Sequence, residues 1–358
     1  MIIEGIDKKF EVFLEMIQFE ITGRCNMQCK HCRAWKEPKN DMTLEIVDKV
    51  LSFAIPEAGK EIRFTISGGE PLLHPDFFKI LDLIKNKVSK AKNTKIDHTV
   101  ITTNGSLVNK EVIQKLEKVG LGELFLQVSL DSSEKKVHDD FRGFPGAFEK
   151  AISAIKLVVN SKLTSMIRTT IIPAQISNME RMIKLADKYG VKRVSFGPVI
   201  PSGKAQIDKS LILNKNQKKK FIENILLLKK KYPYISISTE DPVKFSMCSK
   251  EWDYGDSDYS REDFIGGCSA GITNINVLAD GTITPCSMML KPITNVKNKN
   301  PQEILKDYTS SKIIRNLVER NVKGKCKTCE FGRLCGGCRA TAYGISGDYL
   351  AEDPTCWK

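Results

Sequence analysis

Between residues 16 and 200, six short β-rich runs recur, each followed by a stretch with helical spacing. They are MIQFEIT (16–22), EIRFTIS (61–67), HTVITTN (98–104), ELFLQVSL (123–130), MIRTTII (166–172) and RVSFGPV (193–199). Read as buried runs without strict alternation, they predict a parallel sheet covered by helices. Six strand-helix units in succession predict a βα-repeat architecture, a barrel or part of one, and periodicity alone does not say whether it closes. Thr43 is placed to cap a helix through LEIVDKVLSFA, and Pro75 to open the next helix at its first turn. Met179, Met182, Ile183 and Ala186 fall on one helical face, which makes these methionines core residues. A basic helix over 215–231 and a strand in YISIS lead out of this region.

Near residue 240 the composition shifts. Eight of the eleven cysteines lie after residue 247, among many glycines and with weaker periodicity. The expected division is therefore 1–239 and 240–358, the second a small domain organised by metal. No apolar run approaches the roughly 18 residues of a membrane span, and the N-terminus is too charged for a signal peptide. The expected location is cytoplasmic, where disulfides are rare and cysteines serve metal binding or redox work. The net charge of +13 is spread through helical stretches; it describes a basic surface suited to an acidic partner and argues against a nucleic-acid footprint.

In a βα-repeat fold the loops after the strands gather at one face. The first such loop is GRCNMQCKHC, with Cys25, Cys29 and Cys32; the next three are SGGEP, TTNGS and SLDSS. Three thiolates are one ligand short of a closed zinc site or a fully ligated iron-sulfur cluster. Either a fourth ligand comes from far away or one metal position stays open.

CxxxCxxC after the first strand, with GGEP after the second, resembles the radical S-adenosylmethionine (SAM) superfamily. The resemblance implies an α/β fold, a partial (β/α)6 TIM-like barrel, in which Cys25, Cys29 and Cys32 hold three irons of a [4Fe-4S] cluster and SAM chelates the fourth. It places Gly68, Gly69 and Glu70 along the methionine part of SAM, where glycines admit a close ligand amine and a carboxylate balances its charge. Asn104, Ser129 and Asp131 stand where members of the superfamily contact the ribose or carboxylate of SAM. His31 stands where an aromatic residue packs near the adenine, while His74 and His98 read as structural.

The C-terminal pattern is C-x12-G-x4-C (Cys268, Gly281, Cys286), then C-x2-C-x5-C-x2-C (Cys326, Cys329, Cys335, Cys338), then Cys356. It resembles the SPASM extension, a Cys-rich C-terminal iron-sulfur domain with two auxiliary [4Fe-4S] clusters, although the last gap is one residue shorter than usual. Carried over, Cys268, Cys286 and Cys338 bind the first auxiliary cluster, with Cys248 as its fourth ligand. Cys326, Cys329, Cys335 and Cys356 bind the second. A zinc ribbon is disfavoured because only five residues separate the two CxxC pairs.

The resemblance implies reductive cleavage of SAM to a 5′-deoxyadenosyl radical, which removes hydrogen from a substrate C–H bond. Auxiliary clusters would take an electron back or bind the substrate, and a flavodoxin or ferredoxin would be the reductant. The first expectation is modification of a ribosomally synthesised peptide or protein, by crosslink or oxidation. Only about 15 residues precede the first strand, so a separate leader-binding protein would be needed. The ending CGGCRATAYGISGDYLAEDPTC also resembles relatives that trim tetrapyrrole side chains in haem synthesis, and others linked to redox cofactor maturation. An iron-sulfur electron-transfer protein without SAM chemistry is the expectation of another class.

Overall fold

The computed structural model describes residues 1–243, 267–332 and 334–358. Its strands are β1 (Ile2–Glu4), β2 (Lys9–Glu11), β3 (Leu14–Thr22), β4 (Ala58–Gly68), β5 (Lys95–Thr103), β6 (Glu123–Ser129), β7 (Thr164–Ile171), β8 (Arg193–Pro198), β9 (Ser236–Ser238), β10 (Asn274–Val277), β11 (Thr282–Thr284) and β12 (Thr294–Asn295). β1 and β2 form a small antiparallel pair. The remaining ten form one sheet in the order β12-β11-β10-β3-β4-β5-β6-β7-β8-β9.

From β3 to β9 every neighbouring pair is parallel and follows chain order. β3 and β8, the first and last of the six units, pair with β10 and β9 and not with each other. The six-unit βα sheet is thus a partial barrel that stays open. β10 adds in parallel to the free edge of β3, and β11 and β12 follow antiparallel. Ile275, Val277 and Ile283 of this C-terminal part join the same apolar core as Ile17, Phe19 and Phe64.

Local chemistry explains the helices. Thr43 Oγ1 accepts from the Ile46 amide and caps helix Leu44–Ala54, satisfying one of the amides a helix start leaves free. Helix Lys215–Lys231 begins with a reciprocal capping box between Asn214 and Gln217. Met179, Met182, Ile183 and Ala186 are buried, as the helical face predicts. Pro75 differs from expectation. It precedes the Asp76 cap, and the helix starts at Phe77, since the turn through His74 is held by the Asp76 amide donating to His74 Nδ1.

The strands also differ from the expected doubly buried runs. Ile17, Phe19, Phe64, Ile66, Ile101, Leu126, Ile167, Val194 and Phe196 have no exposure and pack beneath the helices. Their alternates carry amides, hydroxyls and few charges, paired across the strands. Gln18 donates to Ser67 Oγ at 3.0 Å and Gln127 to Thr102 Oγ1 at 2.9 Å. Because the sheet curves into an open barrel, this second face lines a polar interior; it does not pack a second hydrophobic layer.

Candidate functional site

The cysteine loop follows β3 directly and is held from three sides. Lys30 N donates to Phe141 O and Gln28 N to Arg142 O, tying it to helix Lys135–Arg142. The Lys204 amide donates to Cys32 O and its ammonium to Cys29 O. From β4, Gly69 N donates to Thr22 O and Glu70 N to Arg24 O. A Cβ on Gly69 would lie 2.1 Å from Arg24 O and 3.1 Å from Cys25 Cβ. At Gly68, where φ is +139°, a Cβ would lie 2.4 Å from Thr22 O. The observed task of the two glycines is therefore to let the end of β4 pack on the backbone beneath the cysteines.

Glu70 has no exposure. Its carboxylate accepts from Thr103 Oγ1 and the Asn104 amide, both at 2.8 Å, and from Leu72 N. Burial pushes its carboxyl up to about 7. Glu70 thus welds the GGEP turn to the end of β5. Asn104, so placed, donates to Asn26 Oδ1 at 2.9 Å and points Nδ2 toward Cys25 Sγ at 4.0 Å.

Asp131 is equally occupied. It accepts from Arg142 Nε at 2.6 Å and from the Thr170 amide, and its backbone amide donates to His138 Nδ1 at 3.1 Å. Despite burial, the Arg142 guanidinium helps hold its carboxyl below the usual range. Arg142 then directs Nη1 at Cys29 Sγ, 3.8 Å away. Ser129 ends β6 on the polar face, in register with Arg168 of β7. His31 stacks on Phe141, with ring centroids 4.6 Å apart, and burial lowers its imidazole to about 4. His74 bridges Met42 O and Asp76 N, and His98 pairs with Asp97; both serve local structure.

Among the C-terminal cysteines, Cys268 helps raise both Cys286 and Cys338, Cys356 helps raise Cys335, and Cys326 helps raise Cys356. The Cys268 amide also donates to Cys335 O at 3.2 Å, so cysteines expected in different clusters lie side by side. Cys329 directly follows the short helix Lys325–Thr328 that carries Cys326, and Cys248 lies outside the described residues. Asp353 N and Arg339 Nη2 both face Cys326 Sγ, at 3.5 and 3.8 Å, and Gly337 N donates to Cys335 Sγ at 3.3 Å. Burial pushes Cys286 and Cys338 up to about 12, and Cys25, Cys29 and Cys335 upward too, so metal loading must release protons.

Among the described residues no disulfide forms, and no three His, Cys, Asp or Glu side chains surround a single ion position. A cubane cluster needs no common point. Its thiolates bind separate irons, and N–H groups aimed at the sulfurs stabilise it. The donor sets at all three places fit such clusters.

A parallel, open βα sheet with a three-cysteine loop over its polar mouth, followed by two further cysteine groups, defines an iron-sulfur enzyme core with an auxiliary cluster domain. The chain is a radical SAM enzyme: the radical SAM superfamily matches residues 19–186, and the SPASM iron-sulfur cluster-binding domain matches residues 268–330. A SAM-binding [4Fe-4S] cluster and auxiliary clusters are therefore its cofactors. The chain is 28% identical to an AdoMet-dependent heme synthase of Methanosarcina barkeri over 95% of both chains. It is 25% identical to the subtilosin biosynthesis protein AlbA of Bacillus subtilis, over 89% of this chain and 66% of that protein. In fold it is similar to Streptococcus suis SuiB bound to S-adenosylmethionine, with a TM-score of 0.74, 17% identity, and 97% of this chain and 78% of that one covered. No helix among the described residues is long and apolar enough to cross a membrane.

Arg142, Arg339, Asn26 and Thr103 escaped sequence reading. Asn26, Thr103 and Arg339 stand directly beside Cys25, Asn104 and Cys338, but no spacing rule marks them, and only the fold brings all four to the cysteine sulfurs or their supports.

Proposed function

We propose that this enzyme modifies the side chains of a tetrapyrrole in haem biosynthesis. The observation that carries the reading is the likeness to an AdoMet-dependent heme synthase, which runs through both the barrel and the cysteine-rich end. It replaces the sequence-based first expectation of a peptide substrate. The polar inner face of the sheet suits a large, carboxylate-bearing substrate, as does the net charge of +13.

When bound, the cluster and SAM supply a 5′-deoxyadenosyl radical that takes hydrogen from an unactivated C–H bond. Cys25, Cys29 and Cys32 hold that cluster, and Asn104, kept in place by Glu70, braces the loop beside it. Ser129 and His31 remain candidates to contact SAM. Asp131 acts by orienting Arg142 toward Cys29. Cys268, Cys286 and Cys338, with Cys248, hold the first auxiliary cluster; Cys326, Cys329, Cys335 and Cys356 hold the second. The division at residues 1–239 and 240–358 follows these tasks, and a flavodoxin or ferredoxin, drawn to the basic surface, supplies electrons.

The test is anaerobic turnover of the reconstituted enzyme with SAM, a strong reductant and Fe-coproporphyrin III, an iron porphyrin bearing carboxylate side chains. Formation of 5′-deoxyadenosine together with a porphyrin of lower mass is expected. Deoxyadenosine formed over an unchanged porphyrin would sink the reading. A peptide substrate is the second reading, favoured by the likeness to AlbA; its test is the same assay with a peptide encoded beside the gene.

A further inference from the structure

Arg168 stands on β7 between Ser129 of β6 and Ser195 of β8, in register with both. Its side chain is 23% exposed on the polar inner face. Nη1 donates to Ser195 Oγ at 2.7 Å. Nη2 lies 3.4 Å from the carboxylate of Glu240, itself 76% exposed. Gln18, Thr65, Thr102 and Gln127, which share this face, are uncharged, and Glu20 is paired with Arg33.

Gly197 on β8 explains how the guanidinium is seated. Its backbone is not left-handed, so conformation does not require glycine there. A Cβ at Gly197 would instead lie 2.1 Å from Arg168 Nη2 and 2.6 Å from Cζ. The missing side chain is a slot, and the guanidinium fills it.

We propose that Arg168, seated in the Gly197 slot, binds a carboxylate of the substrate, and that Glu240 occupies that edge of the guanidinium in the free enzyme. A planar guanidinium matches a carboxylate with two parallel hydrogen bonds. The Glu240 pair is solvent-exposed on the carboxylate side and weak, so an incoming carboxylate displaces it. This inference rests on the tetrapyrrole reading above, whose substrate carries several carboxylates.

The test uses reconstituted holoenzyme without oxygen. Fe-coproporphyrin III binding is followed by its Soret band, and SAM binding by the change in the EPR signal of the reduced cluster. Arg168→Met is expected to weaken porphyrin binding about tenfold or more, equivalent to about 1.4 kcal/mol, with SAM binding unchanged. Gly197→Ala, which keeps the charge but evicts the guanidinium, is expected to weaken it similarly. Arg168→Lys is expected to fall between Met and wild type, and Glu240→Gln to bind more tightly than wild type. Iron content and unfolding midpoints identify any variant that misfolds, and Gly197→Ala then carries the test. If wild type binds the porphyrin and both Arg168→Met and Gly197→Ala bind it equally well, the inference fails alone. Equal loss of SAM binding would assign the carboxylate to SAM and overturn it. Failure of wild type to bind the porphyrin at all would sink the tetrapyrrole reading and this inference with it.

Discussion

Arg142 Nε donates to Asp131 Oδ2 at 2.6 Å, and both side chains are more than nine-tenths buried. The pair joins the loop after β6 to helix Lys135–Arg142, to which the cysteine loop is hydrogen-bonded. Replacing Arg142 with Met leaves a buried carboxylate without its counter-charge, which costs about 3–5 kcal/mol. Urea unfolding of Arg142→Met is expected to show that loss, with iron lost first from the Cys25, Cys29 and Cys32 cluster. Wild-type stability in this variant would mean the pair is not coupled to folding.

A second buried ion group joins the barrel to the C-terminal tail. Lys218 Nζ lies 2.8 Å from Asp241 and 3.7 Å from Asp353, and donates to Thr355 Oγ1. Lys218→Met is expected to destabilise the protein by about 3–5 kcal/mol, since two carboxylates lose their cation. Adding Asp241→Asn to Lys218→Met is expected to recover part of that loss in the same urea series.

His138 is 1% exposed, and burial lowers its imidazole to about 4. Between pH 6.5 and 4 the unfolded chain binds a proton here that the native state does not. Stability is therefore complete above about 6.5 and falls as pH drops through this window, by at most about 3 kcal/mol. His138→Asn, which can still accept from Asp131 N, is expected to flatten the fall between pH 7 and 5. Parallel curves for the two proteins would assign the slope to another group.

Gly69→Ala brings a methyl against backbone, where no rotamer change gives relief. The expected result is loss of about four irons per chain and of SAM binding, with auxiliary EPR signals retained. Full iron content in this variant would contradict the close packing of β4 on the cysteine loop.

Cys356→Ala is expected to remove one auxiliary cluster while leaving Trp357 to pack on the core. Truncation of residues 356–358 is expected to give the same iron loss, about four per chain, with an added loss of stability. Unchanged iron would reject Cys356 as a ligand.

Much of the scaffold was legible in the sequence because local chemistry specifies it. The Thr43 cap, the helix over 215–231 and the methionine face all depend on residues within a turn or two. The six strands were found for the same reason, although their two faces were misread. Alternating Gln18, Thr65, Gln127 and Ser195 look like strand residues of any kind until curvature makes their face an interior. The addition of β10 to β3 was hidden, since it joins residues more than 250 positions apart.

By itself the sequence determined which ligands the site offers. Three thiolates at CxxxCxxC spacing belong to a single loop, and the resemblance carried by CxxxCxxC together with GGEP implies the cluster they hold. Tertiary structure alone decided what supports it. Glu70 accepts from Thr103 and Asn104, and Asp131 from Thr170 and Arg142, because full burial obliges a carboxylate to find donors. The slot at Gly197 likewise exists only when β7 and β8 lie side by side, for a missing side chain becomes a binding feature only through what moves into its place.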